Sequence, residues 1–161
     1  MNTKKLILSC FGVGFLPLMP GTWASLLLLA AFLVIHYFWP ITVIAIVFLV
    51  FVMVVSSVFC LLFAGEAEKL EDKKDPGWIV LDELAGEGLA LLPVAVIDEK
   101  VLVTAIGGFV LFRIFDILKP PPIRECEQLK GACGILADDI VAGLMAGVSV
   151  QIVSCLFTFF Q

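Results

Sequence analysis

The stretch "ITVIAIVFLVFVMVVSSVFCLLFA" (Ile41–Ala64) carries no charged residue. It exceeds the roughly 20 apolar residues that carry a helix across a bilayer core. In lipid every backbone polar group must be satisfied within the segment, so such a run reads as a transmembrane helix. Before it, "ASLLLLAAFLVIHYFW" (Ala24–Trp39) is a second apolar run, with Tyr37 and Trp39 placed as an interfacial anchor and Pro40 ending it. The two predict a tight helical hairpin.

Three further apolar segments follow. "IVLDELAGEGLALLPVAVI" (Ile79–Ile97) carries Asp82, Glu83 and Glu87, and "VLVTAIGGFVLFRIFDIL" (Val101–Leu118) carries Arg113 and Asp116. "IVAGLMAGVSVQIVSCLFTFF" (Ile140–Phe160) is uncharged. Between them lie a polar segment (Gly65–Trp78), a short turn (Asp98–Lys100) and a long connector (Lys119–Asp139). A charged helix enters a membrane less readily, so the third and fourth segments are the weaker spans.

Composition agrees. Of 161 residues, 61% are hydrophobic and 16% charged, whereas soluble domains sit near 45–50% and about 25%. The expected fold class is all-α: a polytopic membrane helical bundle of four to five apolar helices with a short N-terminal interfacial helix, in one domain spanning 1–161. The net charge of −5 argues against nucleic acid, which calls for a basic face; membrane lipids are the expected surroundings. Five cysteines without a C-x-x-C pair indicate neither a disulfide framework nor a zinc site. Lys4 and Lys5 mimic the start of a secretory signal, but Leu6 to Ser9 are too short for its apolar core, so this segment is expected to be retained.

Basic residues orient the bundle. Lys4 and Lys5 precede the first span; Lys69, Lys73 and Lys74 follow the second; Arg113, Lys119, Arg124 and Lys130 lie between the fourth and fifth. The other side has only Lys100 and His36. The positive-inside rule then puts the N-terminus, the 65–78 segment and the 119–139 connector in the cytoplasm. Five crossings leave the C-terminus outside. Asp82/Glu83, Arg113/Asp116/Lys119 and Asp138/Asp139 all fall at cytoplasmic ends of apolar segments. A charge at the bilayer centre costs about 2.5–3.5 kcal/mol on insertion scales, and this many acids at one level point to a shared cation.

Each cluster has a plainer reading. Asp82 and Glu83 are consecutive, about 100° apart on a helix, and can face solvent at a helix start. Arg113, Asp116 and Lys119 are spaced three apart and can form an ion-pair ladder on one helical face; alternatively, the acid serves a metal and the two cations serve phosphate oxygens. Asp138 or Asp139 can cap the helix that follows, though one Asp suffices for a cap. In "GVGFLPLMPGTWAS" (Gly12–Ser25), Pro17 and Pro20 stop the first segment, and Thr22 or Ser25 can cap the next helix, whose free amides would suit an anion. Together the four clusters describe a cation site beside a phosphate cradle.

Other phosphatase chemistries lack their residues. No cysteine is followed by five residues and an arginine, no D-x-D-x-[TV] occurs, and His36 is the sole histidine, on the far side. Nor is there a D-G-x-x-D-G…D-x-x-x-D run. Metal-assisted chemistry without a protein nucleophile remains.

"GVGFLPLMPGTWAS", "IVLDELAG", "FRIFDILKPPPI" and "GILADDIVAG" occur in this order and spacing. In that they resemble phosphatidylglycerophosphatase A, over roughly a third of the chain. The resemblance implies a Mg²⁺-dependent enzyme of the bacterial cytoplasmic (inner) membrane. Such enzymes hydrolyse the phosphomonoester of phosphatidylglycerophosphate to phosphatidylglycerol and inorganic phosphate. Matching motif positions implies that Asp82, Glu83, Asp116, Asp138 and Asp139 are catalytic or metal-binding. Arg113 and Lys119 would be catalytic and phosphate-binding, and Thr22 and Ser25 phosphate-binding. Ala24 stands for a usual Gly, Pro121 for a usual Trp, and Ala132-Cys133 vary a glycine-rich run. Glu87 has no counterpart in the pattern and stays outside the expected site. The rivals are a small cation- or proton-coupled transporter using intramembrane carboxylates, and a structural membrane subunit.

Overall fold

The computed structural model describes residues 3–71, 75–96 and 100–159. Lys73, Lys74, Phe160 and the Asp98 side of the expected 98–100 turn lie outside them. The elements are α1 (Thr3–Leu8), α2 (Pro20–Phe38), α3 (Thr42–Glu71), α4 (Leu81–Leu91), α5 (Val101–Leu118), α6 (Ile123–Cys126) and α7 (Ala132–Phe159), with short 3₁₀ turns at Val13–Phe15 and Val94–Val96. No strand occurs among the described residues.

Four helices, α2, α3, α5 and α7, are long and apolar enough to cross a membrane. The Ile79–Ile97 segment is not a fifth continuous span. Its helix α4 has 11 residues, about 16 Å at 1.5 Å per residue, too short to cross alone. Pro93, just past its end, lacks the amide hydrogen a continuing helix needs. α4 is instead the buried axis of the bundle, packed against α7, α3, α2 and α5. Its acids therefore lie inside the protein and away from lipid.

The axis is held by close backbone approach. Lipid tails are as apolar as leucine, so helices in a membrane associate through packing of small residues. A Cβ on Gly143 of α7 would collide with the carbonyl oxygen of Gly86 on α4. A Cβ on Gly86 would meet the Asp139 carbonyl oxygen at 2.5 Å and Phe112 Cε2 of α5 at 2.6 Å. One point of contact thus ties three helices together.

Three helix boundaries differ from the sequence reading. α2 starts at Pro20, where a proline suits the first helical position because its missing donor is not needed there. α3 runs into the polar segment as far as Glu71. There α1 lies alongside it: Lys4 pairs with Glu66, and Lys5 with Glu71 at 3.1 Å. These pairs are exposed and worth roughly 0–1 kcal/mol each. α1 is thus pinned to the end of α3, and the Leu8 carbonyl accepts a hydrogen bond from the Val80 amide at 3.0 Å, directly before α4. Lastly, α7 begins at Ala132, well before Asp138.

Candidate metal and phosphate site

Helices α2, α4 and α7 begin at one end of the bundle, and α5 ends there. The contacts between them show it. A Cβ on Gly21 would collide with the Glu83 carboxylate, Gly86 abuts Asp139, and Lys119 Nζ lies 2.7 Å from Asp138 Oδ2.

At this end Asp82, Glu83 and Asp139 each offer a carboxylate oxygen, all within 4.8 Å of one another. Asp82 and Asp139 are 3% exposed. Asp82 Oδ1 and Glu83 Oε2 are buried without a hydrogen-bond partner. Buried polar atoms are rarely left unpaired, and like charges this close repel. Two basic side chains beside the triad are engaged by other acids, Arg113 by Asp116 and Lys119 by Asp138 and Glu127. Three clustered carboxylates, two of them with an unpartnered oxygen, are a hard donor set, and they fit Mg²⁺, which takes carboxylate and water oxygens.

The remaining expected residues surround the triad. Arg113 NH1 lies 3.0 Å from Asp116 Oδ2, both side chains mostly buried. Asp116 is close enough to Asp139 and Asp138 for its charge to act on both. The ladder reading is half right: Arg113 and Asp116 pair, but Lys119 leaves the ladder. α5 ends at Leu118, and Lys119 is its C-cap at φ 44, in the left-handed region. From there its ammonium reaches across to Asp138 and to Glu127 Oε1, the latter at 3.0 Å. Burial works against its charge, but the hydrogen bonds it donates to Asp138 and Glu127 prevail and hold its pKa above the usual lysine value.

The cap readings fail. Asp138 and Asp139 lie in the second turn of α7, past any cap position. Met19 occupies the N-cap of α2, with no side-chain cap bond. Thr22 Oγ1 and Ser25 Oγ are buried hydroxyls without partners. Free amides are fewer than expected, since Pro20 has none and the Thr22 amide donates to the Met19 carbonyl oxygen at 2.9 Å. The hydroxyls, rather than a row of amides, are what α2 offers an anion.

Three acids at this site escaped the sequence reading. Glu127 shares Lys119 with Asp138. Asp75 is exposed, at φ 48, yet near enough to Asp138, Lys119, Asp116 and Glu127 to feel their charges. Crowding by protein, then repulsion by Asp138, outweighs Lys119 and pushes its carboxyl up to about 6. Its only sequence signal is an acid before a Pro-Gly turn, one helix-start away from Asp82. Glu87, set aside for want of a family counterpart, is fully buried, and both its oxygens lack partners. A carboxylate in an apolar helix was the signal for it.

Fold and site together define the class: a polytopic helical membrane protein with one polar site, set at one end of the bundle around a short buried helix. The profile of the family described as Phosphatidylglycerophosphatase A matches residues 6–154. The chain belongs to that family. It is 31% identical over 157 residues to "Phosphatidylglycerophosphatase A" of Haemophilus influenzae, covering 93% of this chain and 88% of the relative. It is 32% identical over 149 residues to the protein of the same name from Escherichia coli K12, covering 90% and 80%. It is also similar to a Bacteroides thetaiotaomicron protein named "Putative phosphatidylinositol-3-phosphatase", 36% identical over 149 residues and 91% of each chain. No solved structure matches the chain significantly.

Proposed function

We propose that the chain hydrolyses the phosphomonoester of phosphatidylglycerophosphate, releasing phosphatidylglycerol and inorganic phosphate, as an Mg²⁺-dependent enzyme of the bacterial cytoplasmic membrane (EC 3.1.3.27). One observation carries the reading: a carboxylate triad, Asp82, Glu83 and Asp139, with the two aspartates buried, beside Arg113, Lys119 and two unpartnered hydroxyls. Membership of the phosphatidylglycerophosphatase A family supports it.

Asp82, Glu83 and Asp139 would hold Mg²⁺, with Asp116 and Asp138 at its border. Such an ion, when bound, draws charge from phosphoryl oxygens and lowers the pKa of a bound water. Arg113 presents a planar fork to two phosphate oxygens. Lys119 neutralises charge that grows on the phosphoryl group. Thr22 and Ser25 donate hydroxyl hydrogens to it. Asp138 has Oδ2 on Lys119 and Oδ1 unpartnered, so Oδ1 takes the proton of the attacking water. The water oxygen bonds to phosphorus, the bond from phosphorus to the glycerol oxygen breaks, that oxygen takes a proton from solvent water and leaves as the alcohol, and Asp138 gives its proton back to solvent. The acyl chains stay in the bilayer beside the apolar helices.

The orientation follows from charge. Lys4, Lys5, Lys69, Lys119, Arg124 and Lys130 gather at the site end and Lys100 at the other, so the site faces the cytoplasm. A transporter needs polar groups along both halves of its path, and these acids cluster at one end.

A lipid panel tests the head group. Purified protein with Mg²⁺ is expected to release phosphate from phosphatidylglycerophosphate at least tenfold faster than from phosphatidylinositol-3-phosphate or phosphatidic acid. Preference for the inositol lipid would replace the proposed substrate, and release from none of the three would end the phosphatase reading.

A further inference from the structure

The site end of the bundle has two unlike flanks. On one, the connector after α5 is rich in polar side chains, Arg124, Glu125, Gln128 and Lys130 among them, and its helix α6 packs on α7. On the other, the loop from α1 leads into α2, which packs on α4. From Phe11 to Met19 ("FGVGFLPLM") this loop has no polar side chain. Yet Leu18 is 88% and Phe11 81% exposed, and Phe15, Leu16 and Met19 are exposed as well. A loop that meets water ordinarily carries polar turn residues.

The loop is firmly built. Gly14 abuts the Trp78 carbonyl oxygen, and the Phe15 and Trp78 rings stack at 6.0 Å. Every amide from Cys10 to Leu16 donates to a carbonyl oxygen within residues 6–13, and Trp23 Nε1 donates to the Pro17 carbonyl oxygen at 3.1 Å. Backbone groups settled within the segment suit a place with little water. Phe11, Leu18 and Met19 hold left-handed backbone, at φ 56, 59 and 59, where glycine or asparagine is the relaxed choice. Apolar side chains are kept there against local preference. They also continue a lipid-facing stripe, since Met19 is followed at helical spacing by exposed Trp23, Leu26, Leu27 and Val34 of α2.

We propose that the 11–19 loop sits at the boundary between head groups and acyl chains of the site-end leaflet and docks the acyl-chain side of a phosphate-bearing lipid. Apolar side chains with satisfied backbone gain free energy by leaving water for that layer. Thr22 and Ser25, the hydroxyls offered to phosphate, follow within one to two turns. A lipid held on this flank brings its head group over the start of α2 while its chains stay in the leaflet, and the polar flank remains open to water.

This inference rests on the phosphatase reading for the lipid it docks, and its test separates the two. Wild type in nanodiscs is irradiated with a phospholipid carrying a diazirine near the carboxyl end of one acyl chain, and labelled peptides are identified by mass spectrometry. Residues 11–19 are expected to label as heavily as the exposed face of α3, and residues 124–131 at least fivefold less. In a second arm, Phe11→Asn/Leu18→Asn suits the left-handed backbone and is expected to hold or raise Tm. Its affinity for inorganic phosphate with saturating Mg²⁺ should stay within twofold of wild type, while KM for phosphatidylglycerophosphate in nanodiscs rises at least fivefold. The apolar swap Phe11→Leu/Leu18→Phe should keep the wild-type KM. A loop that resists the label, whether water or a second copy of the chain covers it, overturns the inference. So does a lipid KM within twofold of wild type in the folded asparagine variant, or an equal loss in the apolar swap. If the asparagine variant does not fold, the labelling of wild type decides. Should wild type release phosphate from no lipid while the loop labels, the phosphatase reading falls and the seat of the loop in the leaflet stands.

Discussion

Gly86 on α4 and Gly143 on α7 meet backbone to backbone, with no room for a Cβ on Gly143. The two helices run in the same direction from the site end, so one turn back from each glycine stand Asp82 and Asp139, whose carboxylates cluster with that of Glu83. The crossing point therefore sets the distance between ligands that come from distant parts of the chain.

Gly143→Ala should spread this crossing. Overpacking of a tight core costs about 1–3 kcal/mol, and the triad should widen with it. The variant is expected to melt lower and to need several times more Mg²⁺ for half-maximal activity. Gly107→Ala is the control, because nothing lies within 4 Å of its Cβ position. Equal Mg²⁺ requirements in the two variants would separate the crossing from the site.

The acids divide into two groups by geometry, and their variants should divide likewise. Asp82→Asn and Asp139→Asn should weaken Mg²⁺ binding and lower turnover by orders of magnitude. Asp138→Asn should spare Mg²⁺ binding and lower kcat by about 100- to 10,000-fold, the range for a lost acid–base group. Calorimetric titration of Mg²⁺ beside kcat measurements checks both. Loss of Mg²⁺ binding in Asp138→Asn alone would exchange the two roles.

Lys119→Ala removes the cation from Asp138 and Glu127. If Lys119 served only the end of α5, its loss would cost about 0.3–1 kcal/mol of stability. As a partner of the phosphoryl group it should cost roughly 30- to 1000-fold in kcat/KM. Arg113→Lys keeps the charge and loses the fork, so it should raise KM and lower kcat in a folded protein. Normal turnover with a lowered Tm in both variants would return these residues to a structural ion-pair role.

Asp75 gives a pH signature. Its folded carboxyl is pushed up to about 6 from an ordinary value of 3.8. A group raised on folding favours the folded state while protonated, and that contribution is lost as pH rises from the unfolded to the folded value. Asp75→Asn cannot ionise. Its Tm advantage over wild type should therefore grow between about pH 4 and pH 6 and level off above. A difference that is flat or shrinks over that window would show that crowding by protein and the charge of Asp138 do not together raise the Asp75 carboxyl.

The apolar bundle was legible because a run such as Ile41–Ala64 has one viable structure in lipid. The shape of α4 was not. Hydropathy registers 79–97 as one segment, whereas Pro93 and the surrounding helices decide how much is helix and where it lies. The site residues Asp82, Glu83, Arg113, Asp116, Lys119, Asp138 and Asp139 stood out as charges in apolar surroundings, and the fold brings them to one end. Their partition did not stand out. That Lys119 turns to Asp138 depends on a left-handed residue after α5, which spacing cannot reveal. Glu127 and Asp75 lay in polar segments, where acids are ordinary, and only the fold moves them to the site.

The central claim is that Asp82, Glu83 and Asp139 form an Mg²⁺ site that serves phosphomonoester hydrolysis. Its most direct test is phosphate release from phosphatidylglycerophosphate by metal-depleted wild type and Asp139→Asn as Mg²⁺ is added back. Wild type should be inactive without metal and recover along a saturating curve, while Asp139→Asn should stay orders of magnitude below it or need far more Mg²⁺. Full wild-type activity without a divalent ion, or a superimposable curve for Asp139→Asn, would contradict the claim.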